Sequence, residues 1–221
     1  MSDGAPVRAG WCAAEVQREL PGVRLLACEA LHAREQALTG GSPQELRARL
    51  RELSNRFRGA RAVGIRREAV PGAYRVFFRQ IGLDPDVART PIEAAVAERM
   101  LRGGFPSCGL LDDVLLIALL DTGVPVWALD AEAVDGQLGI RASAEGEPLG
   151  RGQPATRLPG GRLVVADEAS ALATLFGEGA PGHAPQAHTR RLLLFAVQVE
   201  GVPTLYAEEA LWNAARALEA H

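Results

Sequence analysis

Few residues in this chain have the types and spacing that chemistry requires. The histidines, His32, His183, His188 and His221, form no HExxH, and no two stand at i, i+4 in a helical stretch. Cys12, Cys28 and Cys108 are far apart and include no CxxC, so their spacing supports neither a zinc site nor a disulfide framework. Free thiols in a reducing cytoplasm are the expectation. No GxSxG or P-loop occurs. Gly177, Gly179 and Gly182 have GxGxxG spacing, but no helix is expected after them, so the match lacks its structural context. Asp112 and Asp113 are adjacent on an expected helix and project about 100° apart, which does not suit a carboxylate dyad. One of them faces solvent or caps a neighbouring segment. No catalytic residue, metal ligand or cofactor is assigned on these grounds.

Two positions stand out from this background. Arg141 lies inside an expected strand, where an inward arginine needs a carboxylate partner. Asp130, Glu145 and Glu147 are the nearby candidates. The arrangement is either a buried ion pair holding two strands, or a pocket guanidinium that grips a carboxylate or phosphate. Trp127 stands where the chain leaves a turn. It can fill, stack or cover, and its indole N–H is its only donor.

Charge adds a third feature. All 24 basic residues are arginine, set against 27 acids for a net charge of −3. From Arg47 to Arg79 ten arginines face only Glu52 and Glu68, a local net of +8. Such a stripe can hold phosphates, or it can be the solvated face of a helix. Arg56, Arg58, Arg61, Arg66 and Arg67 are the phosphate-binding candidates.

These residues need elements to position them. The 221 residues suffice for one substantial core, and 48% of them are hydrophobic. Trp11 to Leu20 reads as a short helix and Val23 to Ala30 as a strand. Ser42-Pro43-Gln44-Glu45 predicts a capping box and a helix with Leu46, Leu50, Leu53 and Phe57 on its buried face. Residues 71–82 form a second helix, and Thr90-Pro91-Ile92-Glu93 launches a third, ending at Gly103-Gly104. "LLDDVLLIALL" is apolar nearly all round and predicts a buried helix. Strands follow at Pro125–Leu129, Leu138–Ala142, Arg162–Ala166, Ala171–Phe176 and Arg191–Val199, and Ala207–Leu218 closes the chain as a helix. The expectation is one α+β domain over 1–221, helix-rich over about 1–121 and strand-rich over about 122–221. The start of the chain lacks a leader pattern, and no apolar run reaches the roughly 20 residues a membrane span needs.

The order "VPVWALD…VDGQLGIRASAEGEPL…GGRLVVADE…HTRRLLLFA" resembles the B3/B4 domain, the editing module of the phenylalanyl-tRNA synthetase beta subunit. Gly123, Pro125, Asp130, Gly136, Arg141, Ala142, Gly146, Glu147 and Asp167 match its pattern. The likeness is strongest from Arg75 to Val199. "YRVFFRQIGLDP…RTPIEAAVAERMLRGGFP" and "ELPGVRLLACEA" look like the form of this domain found outside any synthetase. The resemblance implies a three-layer α+β sandwich. In the synthetase the module hydrolyses tyrosine wrongly attached to the phenylalanine tRNA, and freestanding relatives bind tRNA or edit in trans. Nothing in this chain resembles a ligase core.

The resemblance also marks departures. The position of Trp127 is typically a histidine, and an asparagine usually stands about where Leu115 is. The acidic residue of the family's "GG…SE" segment has no convincing counterpart between Gly177 and Thr189. The site should therefore be drier than an editing pocket. The implied partner is tRNA or aminoacyl-tRNA, not DNA or a membrane, with Trp127, Asp130, Arg141 and Glu147 lining one shared hollow. A hydrolase acting in trans and a small-molecule binder that reuses the fold are the alternatives.

Overall fold

A computed structural model describes residues 6–32, 38–151, 156–177 and 179–221. Strands β1 (Arg8–Ala9) and β2 (Trp11–Cys12) precede helix α1 (Ala14–Glu19) and strand β3 (Arg24–Leu31). Helices α2 (Gln44–Arg56), α3 (Gly59–Gly64), α4 (Ala69–Gln80), α5 (Pro91–Arg102) and α6 (Leu110–Thr122) follow. Then come β4 (Val126–Asp130), β5 (Gly139–Ala142), β6 (Glu147–Pro148), β7 (Arg157–Leu158), β8 (Leu163–Ala166), β9 (Ala171–Thr174) and β10 (Arg191–Gln198). Helix α7 (Thr204–Ala220) ends the described chain. The class is α+β, as the sequence pattern implies.

The run "RLLLFAVQ" of β10 is apolar without alternation, the signature of a strand covered on both faces. It occupies the middle of an antiparallel sheet ordered β1-β3-β10-β4. One face carries Leu192, Leu194 and Ala196 and looks toward α7, whose Ala207, Ala210, Leu211 and Ala214 bury a close-fitting small-residue side. The Cys28 thiol, on the same face, reaches the Leu211 carbonyl, and burial pushes that thiol's pKa up to about 12. The opposite face carries Leu193, Phe195 and Val197 and meets the aromatic side of α4, where the Tyr74 hydroxyl donates to the Val197 carbonyl at 2.9 Å.

A second sheet, ordered β2-β5-β8-β9, packs against that opposite face. Its Ile140, Val165 and Ala173 join the same core as Leu25, Phe195 and Leu211. Its outer side, with Val164 and Ala166, builds a smaller cluster with Leu149, Leu158 and Ala180. The layers run helices, sheet, sheet, and the main core takes side chains from both halves of the chain. Among the described residues, no helix is long and apolar enough to cross a membrane.

Two local expectations change. Trp11 is not helical: it pairs in β2, its indole N–H donates to the Gln137 carbonyl at 2.8 Å, and its ring lies against Gly139. A Cβ at Gly139 would come within 2.0 Å of that ring. The Ser42 capping box does not form. Pro43 occupies the N-cap without a side-chain bond, and the buried Ser42 hydroxyl has no partner among the described residues. The Thr90 box does form, with Glu93 Oε2 accepting from Thr90 Oγ1 at 2.7 Å. Residues 1–5 of the leader reading, and position 178 of the Gly177–Thr189 loop, lie outside the described residues.

Candidate functional site

Helix α6 stops at Gly123, whose φ of 78° is left-handed and suits glycine. The chain turns there and enters β4, which places Trp127 beside Phe195 of β10. The two rings stack, with centroids 5.6 Å apart and planes 17° from parallel. Phe176 meets Trp127 edge-on at 5.5 Å and also touches Tyr74, Phe77 and Phe78. Its φ is 58°, an uncommon conformation for a bulky side chain, held here by ring contacts on several sides. Such strain costs about 1–3 kcal/mol and tends to persist at functional positions.

The outer side of Trp127 opens into a groove of about 330 Å³, lined by Leu115, Leu116, Pro125, Phe176 and Arg89 among others. Positions 115 and 127, where the resemblance anticipates asparagine and histidine, thus line one groove. Here both side chains are apolar or aromatic. Arg89 at the rim is exposed and has no ion pair among the described residues.

Arg89 also borders a second groove, with Arg66, Arg75, Asp86 and Glu93. Arg75 is buried and already paired, to Asp86 and to Glu93, each at 2.6 Å. The Arg75 hydrogen bond, helped by the charges of Arg79 and Arg66, holds the Asp86 carboxyl below the usual carboxylate range. Exposed Arg66, Arg79 and Arg89 therefore gather on this side of the molecule.

The residues singled out in the sequence separate. Arg141 makes a two-toothed pair with Glu147, Nη1 to Oε2 at 2.8 Å and Nη2 to Oε1, and Glu147 also accepts the Ala144 N–H at 2.9 Å. That bond to Arg141 holds the Glu147 carboxyl below the usual range. Of the two readings of Arg141, the ion pair that joins strands is the one observed. Arg141 stands opposite Val164 on the outer side of the second sheet, whereas Ile140 and Val165 fill the side toward Trp127. The shared hollow expected for Trp127, Asp130, Arg141 and Glu147 is therefore not formed. Asp130 anchors a loop instead: its carboxylate accepts from Thr189 Oγ1 at 2.8 Å and Glu132 N at 3.0 Å, and its N–H donates to the His183 carbonyl at 2.9 Å.

The arginine stripe also divides. Arg56 pairs with Asp121 at 2.8 Å, and its guanidinium lies 5.5 Å from the Phe57 ring centre. Arg61 pairs with Glu68 at 3.5 Å and stands over the same ring at 5.1 Å. Both charges are partly neutralised by structural contacts. Arg58, Arg66 and Arg67 are exposed and unpaired among the described residues. The adjacent aspartates of α6 diverge: Asp112 is exposed, while buried Asp113 accepts from Ser107 Oγ and the Cys108 N–H. Among the described residues no cluster could hold a metal ion. Sequence reasoning missed Arg89 and Phe176. Neither carries a local signal, because only tertiary packing brings them to Trp127.

These elements define an α+β domain whose sheet carries an aromatic groove edged by the exposed Arg89. No family model matches the chain. It is similar to a phenylalanine–tRNA ligase beta subunit of Legionella pneumophila (strain Lens), 33% identical over 138 residues, covering 62% of this chain and 17% of that protein. The corresponding subunit of Xanthomonas axonopodis pv. citri is 36% identical over 109 residues, 49% of this chain and 12% of that one. That of Xylella fastidiosa (strain Temecula1) is 35% identical over 106 residues, 43% and 12%. The matched regions make up only 12% to 17% of these relatives. The chain is thus related to one part of that subunit.

Proposed function

We propose that this domain is a freestanding B3/B4-like module that binds the end of a tRNA. A terminal base or acyl group enters the Trp127 groove, and exposed arginines hold the phosphates beside it. The observation that carries this reading is the position of Arg89, which borders both the aromatic groove and the groove containing Arg66. A stacking surface and an unpaired cation thus adjoin, the combination that single-stranded nucleic acid requires. The relation to subunits named for joining phenylalanine to tRNA supports the same reading.

Gel shifts with total tRNA across a salt series test it. Binding should weaken steeply with salt, and Arg66→Ala with Arg89→Ala should lower the log–log slope by about 0.7 per lost single-strand phosphate contact. Trp127→Ala should weaken binding about 5- to 100-fold, the range for loss of one base stack. Salt-independent binding, or none at low salt, overturns the proposal. A second reading, deacylation of mischarged aminoacyl-tRNA, is favoured by positions 115 and 127 lining one groove. The ester is intrinsically reactive, so such a site would need chiefly to orient water and stabilise the oxyanion. Flat rates over a panel of mischarged tRNAs would remove that reading while leaving the binding role standing.

A further inference from the structure

A larger cleft, about 580 Å³, opens on the first sheet and shares no lining residue with the Trp127 groove. Its floor includes Ala27 and Leu193, whose side chains stand on the same sheet face as Phe195. Val134 and Leu138, on the connection between β4 and β5, form its apolar wall. The wall is fixed at Gln137: its amide nitrogen donates to the Ala9 carbonyl at 2.8 Å, and its own carbonyl accepts from Trp11.

Charge in the cleft is not balanced. Arg191 and Glu29 pair with each other at 3.0 Å. Arg8 lies directly opposite Ala27 in the β1–β3 pairing, so its side chain projects on the face of the cleft. It is exposed and has no ion pair among the described residues. The charged side chains of the lining, Arg8, Arg191 and Glu29, leave one net positive charge beside an apolar floor. A cleft of this size, mainly apolar with a few polar groups at its margin, has the character of a small-molecule site.

We propose that this cleft binds a small aliphatic carboxylate. The guanidinium of Arg8 takes the carboxylate in a two-pronged bond, a geometry its planar fork matches. The alkyl body lies on Ala27, Leu193 and Val134. Each methylene buried there tightens binding by up to about fourfold, so affinity climbs with chain length.

Nuclear magnetic resonance titration of the intact protein with hexanoate and octanoate tests the assignment. The expected shifts centre on Ala27, Val134 and Leu193, and octanoate should bind about tenfold more tightly than hexanoate. Inorganic phosphate should not compete with it. Arg8→Gln, at an exposed position, should weaken octanoate binding about tenfold and leave octanol binding unchanged. Ala27→Phe should fill the floor and abolish both. Trp127→Ala should change neither, which separates this site from the tRNA reading. Shifts centred on Trp127 and Phe176, equal octanoate affinity in wild type and Arg8→Gln, or no shifts at millimolar octanoate would each overturn the proposal.

Discussion

Trp127 braces the sheet through Phe195 and Phe176 while presenting its other side to the groove. Stability and binding should therefore separate at this residue. Trp127→Ala is expected to destabilise the fold by about 3 kcal/mol in urea denaturation, near the low end for a large aromatic because the ring is only partly buried. Trp127→Phe should recover most of that stability and less of the tRNA affinity. Asp167 gives a prediction of another kind. Burial alone would raise its carboxyl pKa, but N–H bonds from Asp135, Ala169 and Ser170 and the charge of Arg151 outweigh it and hold the group below the usual range. A carboxyl more acidic in the folded state stabilises the fold above its unfolded pKa, and that contribution is lost as pH falls through the folded value. Denaturant midpoints should thus be steady near neutrality and drop once pH passes below about 3.9. Asp167→Asn should lower the neutral midpoint and flatten the acid limb.

Helices α4 and α5 are joined by the buried pair of Arg75 and Glu93, each with a side chain only 10% exposed. Arg75→Ala strands Glu93, which also serves the Thr90 cap, and should cost about 3–5 kcal/mol. Arg102→Ala removes an exposed pair with Glu98 on the same helix and should change stability by less than about 0.5 kcal/mol. Thermal melts of the two variants check the contrast. The same distinction explains what the sequence could reveal. Long periodic stretches such as α2, α4 and α5, and the continuous apolar runs of α6, β3 and β10, announce themselves because their own residues build the buried face. Trp11 obeys helical spacing yet sits in β2, because Gly139 offers a flat site for its ring. Helix α3 and the pairs β1 and β6–β7 are too short to carry a period. The Arg141–Glu147 pair was within reach because its partners lie six positions apart. Phe176 and Arg89 were not, since distant elements bring them to the groove.

The main core unites Leu25, Tyr74, Val126, Ile140, Leu194 and Leu211, drawn from helix-rich and strand-rich halves alike. A single cooperative transition is expected, with far- and near-ultraviolet circular dichroism losing signal together. Leu194→Ala, at a fully buried site in the central strand, should shift both signals equally and cost about 3–5 kcal/mol. Two separated transitions would place a boundary inside this core.

Strand β3 depends on partners that the ribosome makes much later. Cys28 and Leu211, in contact when folded, are 183 positions apart in the chain. At about 5–20 residues per second, the nascent segment waits on the order of 10–40 s before its neighbours emerge. Until then Leu26, Cys28 and Ala30 have only the two-residue β1 beside them, and lack the central strand β10 and the covering helix α7. A product truncated before Arg191 is accordingly left without its central strand, and it should be cleared by proteases rather than persist as a smaller folded fragment.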